Sequence, residues 1–527
     1  MTEMNDLKKN DPSLPNDTVS KQDLPSACAR MPVRTALAVA ACRLSRAALH
    51  GLGRGGTALP GRLAMRFRGD ILSVTSRGVE TVLVTGTNGK TTTAGMLAHA
   101  MEKAGRPVIC NRAGANLLSG VTAEFAAAAD LCGRPRGKHY AVIECDEGAL
   151  HQAAPLVQPR VIVVTNLFRD QLDRYGEVMH TREAILEGIR SVPGAVLCLN
   201  ADDSLTASIA LEVPNPVVWY GIEQNAVCGK EGPADQPVEE TGWISDARCC
   251  IRCGREYVYR YRTYAHLGGY CCPACGFARP APDVAVTAVD ESGPAGSRVR
   301  MRTAVTDVNE SDAGSSRVCM RTPEESSVPA TRSGEFSVRI ALPALYNVYN
   351  AAAAVSAYTA AGLPRTEILA GLADVRTGFG RMERFEINGV SIQMILVKNP
   401  AGCGQALDYL CSLREACRVV LCLNDRDADG HDISWIWDVD YEQLAGQDNI
   451  RGFYVWGDRA EDMQLRLKYA GIDQDRIRLI PEKEKRRLLA RISRGRTPVH
   501  ILTNYTAMLS LRDLLSRAAG KDAFWKG

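Results

Sequence analysis

Val82-Leu-Val-Thr-Gly-Thr-Asn-Gly-Lys-Thr-Thr-Thr93 is the stretch that decides the fold. An apolar run over Val79–Thr85 predicts a strand, and Thr91–Ala104 predicts the helix that follows it. Between them, two glycines let the backbone approach phosphate oxygens closely. The helix start aims N–H groups and the positive end of its dipole at the same place. Lys90 supplies a compact charge for the outer phosphates, and the Thr91 hydroxyl is a ligand for Mg²⁺. Gly86, Thr87, Asn88, Gly89, Lys90, Thr91 and Thr92 are therefore the candidate nucleotide contacts, with Lys90 also a candidate catalytic residue. The longer form of this motif has glycine where Val84 stands, so the loop is a shortened variant.

Outward from this loop the chain alternates short apolar strands with helix-length segments. Val108–Cys110, Tyr140–Glu144, Val161–Thr165 and Ala195–Leu199 read as strands, and Thr181–Ile189 reads as a helix. Such alternation predicts a mainly parallel sheet covered on both faces, with ligands bound at the carboxyl ends of its strands. Glu144 and Asn166 fall at such ends. A carboxylate beside the phosphate loop is what a phosphate-bridging Mg²⁺ needs, so Glu144 is the candidate metal and catalytic carboxylate. A second alternating block begins near residue 390. Its expected strands are Val390–Val397, Arg418–Leu423, Gly452–Trp456, Ile477–Leu479 and Val499–Leu502, and it reads as a separate α/β domain.

Cys250-Ile-Arg-Cys253-Gly and Cys272-Pro-Ala-Cys275-Gly interrupt the first block, with 18 residues between the two knuckles. That spacing is that of a Cys₄ zinc ribbon. Tyr257, Tyr259, Tyr261 and Tyr264 alternate between the knuckles as a β-hairpin would require. A closed four-thiolate site is structural, so Cys250, Cys253, Cys272 and Cys275 are assigned to Zn²⁺. Cys249 and Cys271 compete as ligands but lack the knuckle spacing.

Composition sets limits. Apolar residues make up 46% and charged residues 23% of the chain, as in ordinary globular proteins. A formal charge of +3 gives no ground for nucleic-acid binding. No run of 18 apolar residues exists, so no membrane span is expected. Most of the 18 cysteines sit singly among apolar residues and read as small buried groups. Residues 1–30 are polar and aperiodic and read as a disordered tail. Residues 31–70 read as a basic helical region carrying Arg34, Arg43, Arg46, Arg54, Arg62, Arg66 and Arg68. Its basic face is either solvated or in contact with anionic lipid or a phosphorylated substrate. The central domain is placed at 71–385, with the ribbon at 245–280 and a flexible, Ser/Thr/Arg/Glu/Gly-rich insertion at 281–333. The C-terminal domain is placed at 386–527.

Leu423-Asn-Asp-Arg-Asp-Ala-Asp-Gly-His-Asp-Ile-Ser-Trp-Ile-Trp-Asp438 is unusually acidic for a loop after a strand. It lacks the glycine and glutamate register of a Ca²⁺ loop, and a solvated turn is the plain alternative.

With these pieces assembled the chain resembles the Mur ligase superfamily, and within it the MurT family. The phosphate loop and Tyr346-Asn-Val-Tyr-Asn350 carry the first resemblance. The ribbon and Asp429-Gly-His-Asp-Ile-Ser-Trp-Ile436 carry the second. Thr165–Glu177, Asn200-Ala-Asp-Asp203, Gly380-Arg-Met-Glu383 and Lys398-Asn-Pro-Ala-Gly402 add to it. The resemblance implies a Mur ligase-like central ATPase domain followed by a Rossmann-like α/β domain. It implies ATP-dependent amidation of the D-glutamate α-carboxylate of lipid II through an acyl phosphate, with ATP and Mg²⁺ as cofactors. Ammonia would come from a GatD-like glutamine amidotransferase, in a heterodimer to which this chain lends one acid. That acid is Asp432 by position, with Asp429 and Asp438 as competitors. Asn166, Asn347 and Asn350 match positions near the nucleotide, and Arg381, at the interdomain join, is counted with them as a cofactor contact. The implied setting is cytoplasmic, at the inner face of the membrane, with at most peripheral contact. Two rivals stay in view. One is an amino-acid-adding ligase of the Mur or folylpolyglutamate type. The other is a zinc-ribbon ATPase that binds nucleic acid, which the arginines of the ribbon favour. Amino-acid-adding relatives carry His where Gln171 stands, and Asp-x-x-His-Asn-Pro where Ile395-Leu-Val-Lys-Asn-Pro400 stands. Both differences fit the MurT branch.

Overall fold

The structure, a computed structural model, describes residues 33–51, 58–111, 115–170, 178–227, 246–293, 296–304, 334–375 and 381–520. The expected tail at 1–30 lies outside these residues.

Strands β1 (Glu80–Thr85), β2 (Val108–Cys110), β3 (Tyr140–Glu144), β4 (Val161–Val164), β5 (Val196–Asn200) and β6 (Val217–Ile222) form the parallel part of a central sheet. Their side chains alternate between two buried layers. Val82 and Val84 join one core and Leu83 the other. Both faces are thus apolar, which explains why these strands read as continuous hydrophobic runs rather than alternating ones. Helix α3 (Lys90–Lys103) and helix α5 (Leu345–Ala360) cover one face; α4 (Leu118–Ala128) lies on the other.

Beyond β6 the sheet continues with β9 (Val284–Gly293), β10 (Gly296–Thr303) and β11 (Gly334–Ile340). The full order is β11-β10-β9-β6-β5-β4-β1-β3-β2. β9 runs parallel to β6, whereas β10 is antiparallel to both its neighbours. This corrects the flexible insertion expected at 281–333. Val284–Gly293 and Gly296–Thr303 are strands, while 294–295 and 305–333 lie outside the described residues. The reason is visible in Ser297-Arg-Val-Arg-Met-Arg-Thr303. Val299 and Met301 are fully buried while Arg298, Arg300 and Arg302, alternating with them, face solvent. This is a period-2 strand hidden by its charge.

The ribbon hairpin, β7 (Val258–Tyr264) and β8 (Leu267–Cys271), projects from the region between β6 and β9. At the other end of the chain's order, α1 (Val33–Gly51) and α2 (Ala58–Phe67) do not form a domain of their own. Ala38, Val39 and Cys42 of α1 and Ala64 of α2 pack against Ala123 and Ala126 of α4. Three of the basic residues are engaged there. Arg43 reaches the carbonyls of Ala127 and Ala129, Arg46 pairs with Glu124 at 2.9 Å, and Arg68 pairs with Asp70.

A second sheet has the order β12-β13-β17-β14-β15-β16, all parallel except β12 against β13. Its strands are β12 (Arg381–Ile387), β13 (Val390–Leu396), β14 (Cys417–Cys422), β15 (Ile450–Trp456), β16 (Ile477–Leu479) and β17 (Val499–Thr503). The expected boundary at 385/386 is therefore too late. β12 belongs to the C-terminal sheet, where Phe385 and Ile387 fill its core. Helices α6 (Pro400–Ser412), α7 (Ala460–Tyr469) and α8 (Tyr505–Ala518) flank this sheet. No helix among the described residues is long and apolar enough to cross a membrane.

Candidate active site

The turn between β1 and α3 is built by glycines that no other residue could replace without strain. Gly86 and Gly89 have φ of 113° and 88°, in the left-handed region. A Cβ on Gly89 would lie 2.1 Å from Asn350 Oδ1, and one on Gly86 would lie 2.5 Å from Thr165 Oγ1. Neighbouring loops then hold the turn. Thr87 N donates to Asn166 O (2.8 Å), Asn88 N donates to Asn166 Oδ1 (2.9 Å), and Asn166 Nδ2 donates back to Asn88 O (3.2 Å). From the second sheet, Asn399 Nδ2 donates to Asn88 Oδ1 (3.1 Å). Asn399 also caps α6 by accepting from Gly402 N at 2.8 Å. The two domains thus meet on the phosphate loop itself.

Lys90 is buried at the first turn of α3. Its Nζ donates to Gly86 O (2.5 Å), Thr87 O (3.3 Å) and Glu147 Oε1 (2.8 Å). Burial acts against its charge, but Glu147 and Glu144 outweigh burial and raise its pKa, so it stays an ammonium. Burial pushes the Glu147 carboxyl up, while the charges of Lys90 and Lys398 act in the other direction. Glu147 was not among the expected site residues. Its signal lay in Glu144-Cys-Asp-Glu147, where only the first acid follows the apolar run.

Thr91 Oγ1 donates to Glu144 Oε2 at 2.7 Å, and Asn116 Nδ2 donates to the other carboxylate oxygen at 3.4 Å. A hydroxyl and a carboxylate, adjacent at a helix start beside Lys90, are the hard oxygen donors that Mg²⁺ takes. The residues present fit that ion.

Next to the loop opens a cleft. Asn88, Gly89, Thr92, Asn166, Asn347, Asn350 and Arg381 of the expected set line it. Gly86, Thr87, Lys90 and Thr91 form the adjoining turn. Tyr264, Tyr346, Ala401, Gly402 and Gln405 also line the cleft and were not anticipated as contacts. Tyr264 comes from the tip of the ribbon hairpin, so the ribbon furnishes a wall of the cleft. Its ring lies 5.9 Å from that of Phe168, which is tied to Thr87 by two hydrogen bonds of 3.0 and 3.1 Å. His266, fully buried, contacts Asp203 Oδ1 at 3.2 Å and packs on Phe168.

The ribbon's two knuckles repeat one geometry. Gly254 N donates to Cys250 O (2.8 Å) and Gly276 N to Cys272 O (3.0 Å), with φ of 75° and 73° at the glycines. The sulfurs of Cys250, Cys253, Cys272 and Cys275 all lie within 4.8 Å of one another, two pairs at 3.4 and 3.5 Å. Four thiolates around a tetrahedral ion with bonds of about 2.3 Å stand roughly 3.8 Å apart, so the cluster could hold one such ion. Burial raises the Cys272 thiol, but backbone N–H groups of Cys275 and Ala274 draw it down to about 6.

The acidic loop after β14 sorts its aspartates. Asp429 accepts from Thr506 N at 2.8 Å at the start of α8. Asp438 pairs across the domain seam with Arg169, whose backbone N–H donates to Asp246. Asp432 is exposed and accepts from Ser434 N at 2.8 Å. Those hydrogen bonds, then the Arg169 charge, hold its carboxyl below the usual range. Asp432 is not part of the cleft. It lies on the surface of the C-terminal domain, five residues before Trp437, which is 49% exposed and meets the exposed ring of Tyr469.

A family model described as the Mur ligase middle domain matches residues 84–241, and one described as MurT ligase C-terminal matches residues 396–508. The lipid II isoglutaminyl synthase (glutamine-hydrolyzing) subunit MurT of Streptococcus pneumoniae is 34% identical over 92% of this chain and 98% of its own length. The Staphylococcus aureus subunit of the same description is 30% identical over 91% and 98%. Among solved structures, a pseudomurein peptide ligase type C from Methanothermus fervidus superposes with a TM-score of 0.58 at 21% identity. That match covers 85% of this chain and 80% of the other, and it speaks for the fold.

Proposed function

The chain belongs to the MurT family of Mur ligases, and on that premise we propose that it is the ATP-using subunit of a lipid II isoglutaminyl synthase. The substrate carboxylate oxygen attacks the γ-phosphorus of ATP, ADP leaves, and an acyl phosphate forms. Ammonia then attacks the acyl carbon and phosphate departs, leaving the amide. The observation that carries this reading is the buried Lys90 ammonium between the phosphate loop and two carboxylates. On nucleotide binding, Lys90 turns from Glu147 to the outer phosphates, where its charge opposes the charge that develops during transfer. Thr91 and Glu144 would hold Mg²⁺, which supplies further neutralisation of the phosphate charge. The nucleotide lies in the cleft against Asn347, Asn350 and Arg381, with Tyr264 and Tyr346 as ring neighbours. The seam from Asn88 to Asn399 keeps water from a labile acyl phosphate.

The nitrogen comes from a GatD-like glutaminase docked on the C-terminal domain. Trp437, Leu465 and Tyr469, between 46% and 70% exposed, form an apolar surface on the same domain as Asp432. Asp432 there orients a partner histidine and stabilises its cation. Neither an amino-acid substrate nor nucleic acid is needed for this reading.

Zinc is the ion we assign to the four cysteines. The reaction runs in the cytoplasm against the inner face of the membrane. Val33, Leu37 and Leu44 make an exposed stripe along α1, and Leu59 and Phe67 another along α2, between 47% and 71% exposed. Exposed Arg34, Arg62 and Arg66 flank them, the pattern of a helix pair resting on anionic headgroups.

Three measurements test these assignments. Lys90→Ala will abolish amidation of lipid II with either glutamine or ammonium as the nitrogen source, whereas Asp432→Asn will abolish only the glutamine-driven reaction. Equal loss with both sources in the Asp432 variant removes its role at the interface. Elemental analysis of the purified chain will give one zinc per molecule, and a zinc-free, folded chain contradicts the ribbon assignment. The chain will co-float with vesicles containing anionic lipid, and Leu44→Asp will weaken that association; identical flotation of both proteins rejects the helix pair as the contact.

A further inference from the structure

Asp170 stands at the junction of three elements of the site. It follows Arg169, which pairs with Asp438 on the Asp432 loop. Its own Oδ2 pairs with Lys398 of the C-terminal domain, and the charge of Lys398 reaches Glu147, the partner of Lys90. A series of charged neighbours thus runs from the Asp432 loop through Arg169, Asp170 and Lys398 to Glu147. Its other oxygen, Oδ1, is buried and meets no donor among the described residues. A buried carboxylate oxygen without a donor is costly, and it selects for a small cation that brings its own N–H groups.

We propose that Asp170 Oδ1 is the binding site for the ammonium that becomes the amide nitrogen. This rests on the amidation reading above and adds the group that receives the nitrogen. Lys398 occupies Oδ2 and leaves the buried Oδ1 as the acceptor without a donor among the described residues. Ammonium donates one N–H to Oδ1 and passes that proton to the carboxylate as its lone pair attacks the acyl carbon. The carbon–oxygen bond to phosphate breaks and the electron pair leaves with phosphate. A second proton is lost from the new nitrogen to the departing phosphate. The sum is acyl phosphate plus ammonium giving amide, hydrogen phosphate and one proton.

The test uses the full chain in its complex with the partner subunit, glutamine omitted, at neutral pH. Two nucleophiles are compared on lipid II and ATP: ammonium, a cation, and hydroxylamine, which is mostly uncharged there and yields a hydroxamate. Asp170→Asn will raise the half-saturating ammonium concentration by about tenfold or more, the loss of one hydrogen bond to a charged group. Its hydroxamate rate will stay within about twofold of the unchanged chain, which also reports that the variant is folded and still activates the carboxylate. Equal loss with both nucleophiles, or an unchanged ammonium dependence, overturns the site. If the unsubstituted chain forms neither product, the amidation reading fails and the ammonium site with it.

Discussion

A buried ammonium sets the terms for the rest of this molecule. Lys90 is 7% exposed, and taking such a charge out of water costs several kcal/mol unless opposite charge is supplied at close range. The chain supplies it from one strand end. β3 delivers Glu144, and the turn after it delivers Glu147. Removing one member of such a pair typically costs about 3–5 kcal/mol, so the site is stable only when Lys90 has an anion beside it. In the structure that anion is Glu147. A triphosphate offers more charge and more oxygens, and on the proposed function an exchange of partners from Glu147 to phosphate prepares the site for phosphoryl transfer.

The same constraint explains why three separate units converge on one turn. A phosphate loop with two left-handed glycines has few contacts of its own, and it is shaped by what presses on it. Asn166 supplies hydrogen bonds from within the sheet, Phe168 transmits the position of the ribbon through Thr87, and Asn399 brings the C-terminal domain to Asn88. The ribbon is thus more than a staple for an insertion. Its tip residues Tyr264 and His266 connect a four-cysteine cluster to a wall of the cleft and to the buried Asp203. At the passage into the second sheet, Met382 holds a φ of 58° beside Arg381. That strained residue sits at the register shift of β12 against β13, between Arg381 and Glu383.

Much of this was legible in the sequence, because the informative features are local. Gly86 to Thr91, Glu144 after an apolar run, and two knuckles each ending in glycine all declare themselves over a few residues. The folded chain brings the first two together within hydrogen-bonding distance and closes the four cysteines into one cluster. What escaped was made by folding. Tyr264 and Gln405 lie 141 residues apart in sequence and share one cleft, and no local pattern links them. Asp170 and Lys398 become a pair only when the domains meet. β10 escaped for another reason: three exposed arginines lower the apparent hydrophobicity of a strand whose alternate residues are wholly buried. β12 was not read as a strand, and the boundary at 385/386 left Arg381–Phe385 with the central domain, because no local pattern shows which sheet completes a segment's hydrogen bonds.

The central claim is that this site energises a carboxylate by placing phosphate on it. The most direct measurement labels the α-carboxylate of the D-glutamate residue in lipid II with oxygen-18 and runs the amidation to completion with ATP. The account predicts one labelled oxygen in each inorganic phosphate released, because the carboxylate oxygen that attacked phosphorus leaves with it. Amide formed with no label in the phosphate would contradict the account at its root.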